Sequence, residues 1–145
     1  MRRFDSAGGH AMTARYHTRF NNLHDTAVEQ VDDAAPDIWN TNDWMAVLEV
    51  LADRLAETYG MPAPSVEHGG RELYRSSTET IELPRASLVS FLHEFRHHMQ
   101  KHGRQANPDI EEDARGWSVS MFAEAEPEYF QRAWEDGRIL FMEEA

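Results

Sequence analysis

The apolar residues between positions 41 and 59 recur at the i, i+3, i+4 and i+7 spacing of a helix that turns one face to a core. Gly60 follows directly, at the place where a helix commonly ends in a left-handed cap. We therefore predict a core-facing helix that ends at Tyr59. Its apolar face consists of Trp44, Val47, Leu48, Leu51 and Leu55.

A weaker pattern precedes this helix and predicts a short helix over residues 23–35. Thr26 and Glu29 stand at capping-box spacing near its start. Pro36 is expected to end it, because proline has no N–H to donate within a helix.

Three short runs with alternating apolar and polar residues follow the long helix. They are centred on Val66, Leu73 and Ile81, and a pair of glycines separates the first two. Alternation between turn signals is typical of strands, so we predict a small three-stranded sheet. The run TIEL (80–83) is predicted to be its last strand.

Helical spacing returns after the sheet, with a capping residue at each start. The predicted helices run from Ser87 to Lys101 or His102, from Asn107 and Pro108 to about Glu124, and from Pro127 to near Gly137. The order of elements predicts an α+β fold: N-terminal helices, a small sheet, and then three helices.

The length of 145 residues suits one domain, which we predict over residues 21–145. Residues 1–20 carry four arginines against one acidic residue and little apolar periodicity, so we predict a flexible basic arm there. The chain contains no cysteine, so a metal ion would have to be held by His, Asp or Glu side chains.

The formal net charge is −12, and Lys101 is the only lysine among the 14 basic residues. This composition is typical of proteins from halophilic organisms, and the charge argues against nucleic acid as the main partner. Neither a signal peptide nor a membrane span is visible in the sequence. We therefore expect a cytoplasmic protein that makes no membrane contact.

The helix predicted from Ser87 contains the motif H-E-x-x-H, formed by His93, Glu94 and His97. Residues i and i+4 share a helical face, so both imidazoles can reach one metal ion while Glu94 can reach a water on it. The ion would lower the pKa of that water, and Glu94 would take its proton as the general base. The motif therefore predicts metal-assisted hydrolysis of an amide.

A catalytic zinc ion usually has three protein ligands, so one more is expected on the next helix. Glu111 shares a face with small residues that would let this helix approach the histidines. It is our predicted third ligand, with Glu112 as the alternative if the helix is rotated. Asp109 and Asp113 are weaker candidates.

The motif and the downstream Glu111-x-x-Ala114 resemble the gluzincin type of zincin metallopeptidases. The compact ImmA/IrrE-like peptidases are the most similar group, and the resemblance covers roughly residues 41–125. It implies a minimal zincin-like metallopeptidase domain in which Zn²⁺ is held by His93, His97 and Glu111. It also implies that the strand before the motif helix, residues 80–83, is an edge strand that pairs with the backbone of a peptide or protein substrate.

This chain departs from the family pattern at Arg115, where an acceptor for an imidazole N–H is common. The acceptor must therefore lie elsewhere, or Glu111 is not the ligand. The donor that would stabilise an oxyanion also stays open, with Tyr74, His98, Arg115 and Tyr129 as candidates.

The remaining histidines are assigned no role, and we expect His98 and His102 to be solvated. The sequence thus predicts a zinc-dependent peptidase with Glu94 as its base. The alternative is a regulatory or interaction module that binds a metal without catalysis, and Glu94→Gln would distinguish the two.

Overall fold

A computed structural model describes residues 23–136, so the predicted arm over 1–20 and the tail after 136 lie outside the described part. Within it the fold is α+β, with five helices and one small mixed sheet. The elements are α1 (Asp25–Asn40), α2 (Trp44–Tyr59), β1 (Ser65–His68), β2 (Leu73–Arg75), β3 (Thr80–Leu83), α3 (Leu88–Lys101), α4 (Ile110–Ala125) and α5 (Pro127–Glu135). No helix between residues 23 and 136 is long and apolar enough to cross a membrane.

Helix α2 confirms the strongest prediction made from spacing. It ends at Tyr59, and Gly60 adopts the left-handed conformation with φ of 73°. Leu48, Leu51 and Leu55 are buried, as the period requires. The helix packs on α1 and on β1.

Helix α1 is longer than predicted, because it continues through Pro36 to Asn40. Buried residues on both sides of the proline, Ala35 and Ile38, hold this part of the helix in the core. Tertiary packing here outweighs the local cost of a proline inside a helix, which is about 3 kcal/mol. At the start, His24 caps the helix by accepting the Thr26 N–H at 3.2 Å.

The sheet has three strands, as predicted, but their order is β1-β3-β2. Strand β3 pairs in parallel with β1 and antiparallel with β2, so Ile81 lies between Val66 and Tyr74. The prediction that residues 80–83 form an edge strand is therefore wrong. All four residues of β3 are buried, whereas β2 lies at an edge.

Helix α3 begins after Ser87, whose hydroxyl accepts the Ser90 N–H at 3.3 Å. One apolar stripe of this helix lies entirely in the core: Leu88, Phe91, Leu92, Phe95 and Met99. The helix packs on α4 and also contacts β2 and β3. The histidines on its opposite face therefore lie between the sheet and α4.

Helix α4 starts at Ile110, which is later than the predicted start at Asn107 and Pro108. Asp109 is the cap, and its Oδ1 accepts the N–H groups of Glu111 and Glu112, both at 3.0 Å. The helix is buried from Gly116 to Ala125. Small residues such as Ala114 and Ser118, each 0% exposed, allow the close approach of α3 that the sequence predicted.

Candidate metal centre

His93 and His97 lie one turn apart on α3, with ring centroids 5.0 Å apart. Each side chain is only 14% exposed, so one edge of each ring remains accessible. Helical spacing places them together, because residues four apart share a face. The buried stripe on the other side of α3 fixes the direction of that face.

Glu111, in the first turn of α4, brings its carboxylate to both imidazoles. Its Oε1 lies 3.3 Å from Nε2 of His93, and its Oε2 lies 3.2 Å from Nε2 of His97. The Glu111 side chain is 54% exposed, so the cluster opens to solvent on that side. The three predicted ligands therefore meet, and we call them the first cluster.

The other acidic residues considered as ligands are held elsewhere. Glu112 pairs with Arg115 at 3.2 Å, and Asp109 serves as the helix cap. Asp113 is fully buried beside Arg96. The rotation of α4 thus brings Glu111, and none of these three, to the two histidines.

The hydrogen bonds of His97 show why the first cluster suits a cation. Nδ1 donates to the Gln100 side-chain oxygen at 2.8 Å, so in a neutral ring Nε2 carries a lone pair. That lone pair faces a Glu111 carboxylate oxygen at 3.2 Å. Two acceptors face each other only if a cation lies between them, which is either a proton on Nε2 or a metal ion.

The distances also fit a metal site. Ligand atoms about 2.0–2.2 Å from a tetrahedral zinc ion lie about 3.3–3.6 Å from one another. The two His–Glu111 distances of 3.3 and 3.2 Å are close to that range. Two nitrogen donors and a carboxylate suit zinc and several other transition metals.

Gln100 is the acceptor that the sequence left unidentified. Its side-chain nitrogen donates to Asp113 Oδ2 and to the Ile110 carbonyl, both at 2.9 Å. The amide is therefore fixed with its oxygen towards His97. It ties the orientation of that ring to the start of α4.

Asp113 holds this arrangement together with five hydrogen bonds. It accepts from Arg96 Nε at 2.8 Å and Nη2 at 3.2 Å, from Gln100, and from the backbone N–H groups of Ala106 at 2.7 Å and Asn107 at 2.9 Å. Burial alone would raise its pKa, but these hydrogen bonds keep the pKa of Asp113 below its usual value. The carboxylate therefore stays charged and fixes α4 against α3.

Burial lowers the pKa of His93, and the neighbouring His97 lowers it further, although Glu111 and Glu72 act in the opposite direction. A lower pKa keeps the imidazole neutral near neutral pH. Only a neutral imidazole can coordinate a metal ion, so the environment of His93 favours that role.

Glu94 is buried beside the histidines and, together with them, lines a cavity. Burial raises the pKa of Glu94 to about 8, and the nearby carboxylates of Glu72 and Glu111 add to the shift. A cation at the first cluster would lower the pKa of Glu94, because an opposite charge favours the carboxylate.

The cavity beside the first cluster has a volume of about 820 Å³. Strand β2 and its flanks form one wall through Glu72, Tyr74 and Ser76. The opposite wall is the start of α4, where Ile110 is 51% exposed. The candidate ligands thus line an open cavity that an edge strand borders.

Among the four candidate oxyanion donors, only Tyr74 lines this cavity. Arg115 pairs with Glu112, and Tyr129 stacks on Trp39 with ring centroids 4.1 Å apart, beside a separate cavity. His98 is fully buried, so the prediction that it is solvated is wrong.

The Tyr74 hydroxyl is already engaged. His98 Nε2 lies 2.7 Å from the Pro62 carbonyl and must donate to it, because that oxygen can only accept. His98 Nδ1 then accepts the Tyr74 O–H at 2.8 Å. Burial raises the pKa of Tyr74 to about 12, with a contribution from Glu79, so it remains a phenol.

Among residues 23–136, two groups of His and Glu side chains could hold a metal ion. One is the first cluster. The other consists of Glu79, His98 and His102, which we call the second cluster. This group was not predicted from the sequence, although the i, i+4 spacing of its histidines was a visible signal.

No family model, characterised protein or solved structure matches this chain. Inferences about its function therefore rest on the geometry of its own residues. Glu72 and Gln100 were not predicted from the sequence as residues of the site. Gln100 lies three residues after His97, and this spacing alone allows a side chain to reach the imidazole.

Proposed function

We propose that this protein is a zinc-dependent peptidase that uses the first cluster as its metal centre. The observation that carries the proposal is the convergence of His93, His97 and Glu111 beside the buried Glu94. This is the arrangement expected for the gluzincin type of metallopeptidase, which the sequence resembles. Five helices and a small sheet are compatible with a minimal zincin-like domain.

Zinc held at the first cluster would supply Lewis acidity, which makes water more acidic and polarises a carbonyl group. Glu94 would act as the general base, because it follows His93 directly and lines the same cavity. Gln100 would keep His97 in the tautomer that presents Nε2. Each of these roles uses a side chain that the fold already holds in place.

Strand β2 supports a peptide as the substrate. It lies at an edge of the sheet and borders the cavity, so an extended chain could pair with it by backbone hydrogen bonds. In this proposal the pairing strand is Leu73–Arg75, because residues 80–83 form the central strand of the sheet. A cavity of about 820 Å³ with an open side can accept a segment of an unfolded chain.

The proposal is tested by measuring zinc content and peptide hydrolysis on three forms of the protein. Wild type should bind zinc and hydrolyse an unstructured substrate such as casein. Glu94→Gln should keep zinc at the first cluster and lose hydrolysis, whereas His97→Ala should lose both.

Hydrolysis that persists in Glu94→Gln would contradict the role of the base. A wild-type protein that binds zinc but cleaves neither casein nor a mixed peptide library would favour the non-catalytic metal-binding module. Failure of wild type to bind zinc at all would reject the metal centre.

A further inference from the structure

Helix α3 carries a second pair of histidines with the same spacing as the motif pair. His98 and His102 are four residues apart, and their ring centroids are separated by 4.7 Å. They follow His93 and His97 by five residues, which corresponds to a rotation of about 140° around the helix. The second pair therefore faces the β2–β3 turn, away from α4.

Glu79, in that turn, supplies a carboxylate to the second pair. Its Oε1 lies 3.1 Å from Nε2 of His102 and 3.8 Å from Nδ1 of His98. Its backbone adopts a φ of 51°, a left-handed conformation that a non-glycine residue rarely takes. Three potential ligands from two distant parts of the chain thus lie within 4.8 Å of one another.

His98 is oriented as a metal-ligating histidine usually is. Such a ring donates its other N–H to a carboxylate, a backbone carbonyl or a water. Nε2 of His98 donates to the Pro62 carbonyl at 2.7 Å, so Nδ1, which lies 3.8 Å from Glu79 Oε1, carries the lone pair. His97 has the same arrangement in the first cluster, with its two nitrogens exchanged.

We propose that Glu79, His98 and His102 form a second site for a divalent transition metal such as zinc. Its role would be structural, because it would join the β2–β3 turn to the last turn of α3. It would not be catalytic, since Met99 follows His98 where Glu94 follows His93. This inference does not depend on the proposed peptidase activity.

Two groups compete with a metal ion at the second cluster and make it the weaker site. Lys101 Nζ lies 3.1 Å from Glu79 Oε2, so a cation already neutralises part of the carboxylate. The Tyr74 hydroxyl occupies the His98 Nδ1 lone pair at 2.8 Å. Tyr74 also lines the cavity, where its hydroxyl can bond to water instead when an ion binds.

The test is zinc stoichiometry after saturation and removal of unbound metal. We expect two equivalents in wild type, one in His102→Ala, one in His97→Ala and none in the double variant. Competition with a chromophoric chelator should give two dissociation constants, and His102→Ala should remove the weaker one. Circular dichroism before and after zinc addition checks that each variant is folded.

Lys101→Met provides a second test that leaves all three ligands intact. Removal of the competing ammonium should tighten the weaker site by about tenfold and leave the stronger site unchanged. A wild-type protein with a single equivalent, lost in His97→Ala and kept in His102→Ala, would overturn the second site and leave the first intact. A single equivalent that is kept in His97→Ala and lost in His102→Ala would support the second site and reject the first.

Discussion

The two histidine pairs of α3 have identical spacing but meet different surroundings. His93 and His97 face an open cavity, and their third partner, Glu111, is 54% exposed. His98 is fully buried and His102 is 23% exposed, and their carboxylate partner is also the partner of Lys101. Spacing alone therefore creates the opportunity for a metal site, and the neighbouring elements decide what that site can do.

The residue next to each pair sharpens this difference. Glu94 follows His93 and places an acid beside the first cluster, whereas Met99 follows His98 and packs in the core. Strand β2 lies beside both clusters, because the Tyr74 hydroxyl donates to His98 while Tyr74 also lines the cavity of the first cluster. Four predictions can break or sharpen this comparison.

The largest effect is expected from Glu94→Gln. Loss of a general base should reduce peptide hydrolysis by about 10²- to 10⁴-fold, because the amide cannot accept the proton. Zinc content should stay at the wild-type level, since none of the six predicted ligands changes. Elemental analysis and a fluorogenic peptide assay measure the two quantities.

The matched control for that variant is Glu112→Gln, one residue beyond the proposed ligand Glu111. Glu112 pairs with Arg115 outside the first cluster. Surface substitutions usually change the free energy of unfolding by no more than about 0.5 kcal/mol, so this variant should stay folded and hydrolyse peptide at close to the wild-type rate. Equal losses of hydrolysis in both variants would contradict a specific role of Glu94 as the general base.

Asp113→Ala should cause the largest loss of stability. It would leave Arg96 buried without its carboxylate, and breaking such a pair costs about 3–5 kcal/mol. Urea unfolding should show this loss in the free energy of unfolding, while Glu112→Ala, at a partly exposed pair, should lose about 0–1 kcal/mol. Similar values for the two variants would mean that the Asp113 network does not hold α4 in place.

Gln100→Ala should weaken zinc binding at the first cluster by about 10–100-fold, because His97 would lose the acceptor that fixes its ring. Zinc at the second cluster should bind as before. Gln105→Ala is the control, since Gln105 lines the same cavity but bonds to backbone carbonyls of its own loop. The idea fails if both variants bind zinc as tightly as wild type in a chelator competition assay.

The smallest expected effect is on the pH dependence of stability and concerns Glu82, a buried glutamate of β3. It accepts hydrogen bonds from Arg71 and Arg75, whereas the glutamates of the two clusters contact histidines. A hydrogen bond from the Arg71 backbone N–H, followed by one from the Arg75 side chain, lowers the pKa of Glu82. Its contribution to stability should therefore be fully present above the pKa of the unfolded chain, about 4.3, and should be lost as the pH falls below that value and through the lower pKa of the folded state.

Glu82→Gln provides the measurement for this pH dependence. The difference in the free energy of unfolding between wild type and the variant should be larger at pH 7 than at pH 3. Two stability curves that run parallel from pH 7 to pH 3 would contradict the assignment. The measurement gives the pH dependence of stability for a glutamate that is bound by arginine groups, whereas Glu111 contacts two histidines.

Much of the helical structure was predictable because its signals are local. The apolar stripe of α3, the cap at Ser87 and the end of α2 at Gly60 each depend on residues within a few positions of one another. The predictions failed where distant contacts compete with local preference. Pro36 was expected to end α1 but lies inside it. Residues 80–83 were expected at an edge of the sheet but form its central strand, because the position of β3 depends on its pairing with both β1 and β2.

The sequence by itself determined that His93, Glu94 and His97 share one region of a helix, because the helical period acts over a single turn. Only the tertiary structure decided that Glu111 joins them, that Gln100 orients His97, and that His98 and His102 meet Glu79. These contacts depend on how α3 packs against α4 and the sheet. The relative positions of these elements are set by close packing of the whole core, so they cannot be predicted from residues that are neighbours in the sequence.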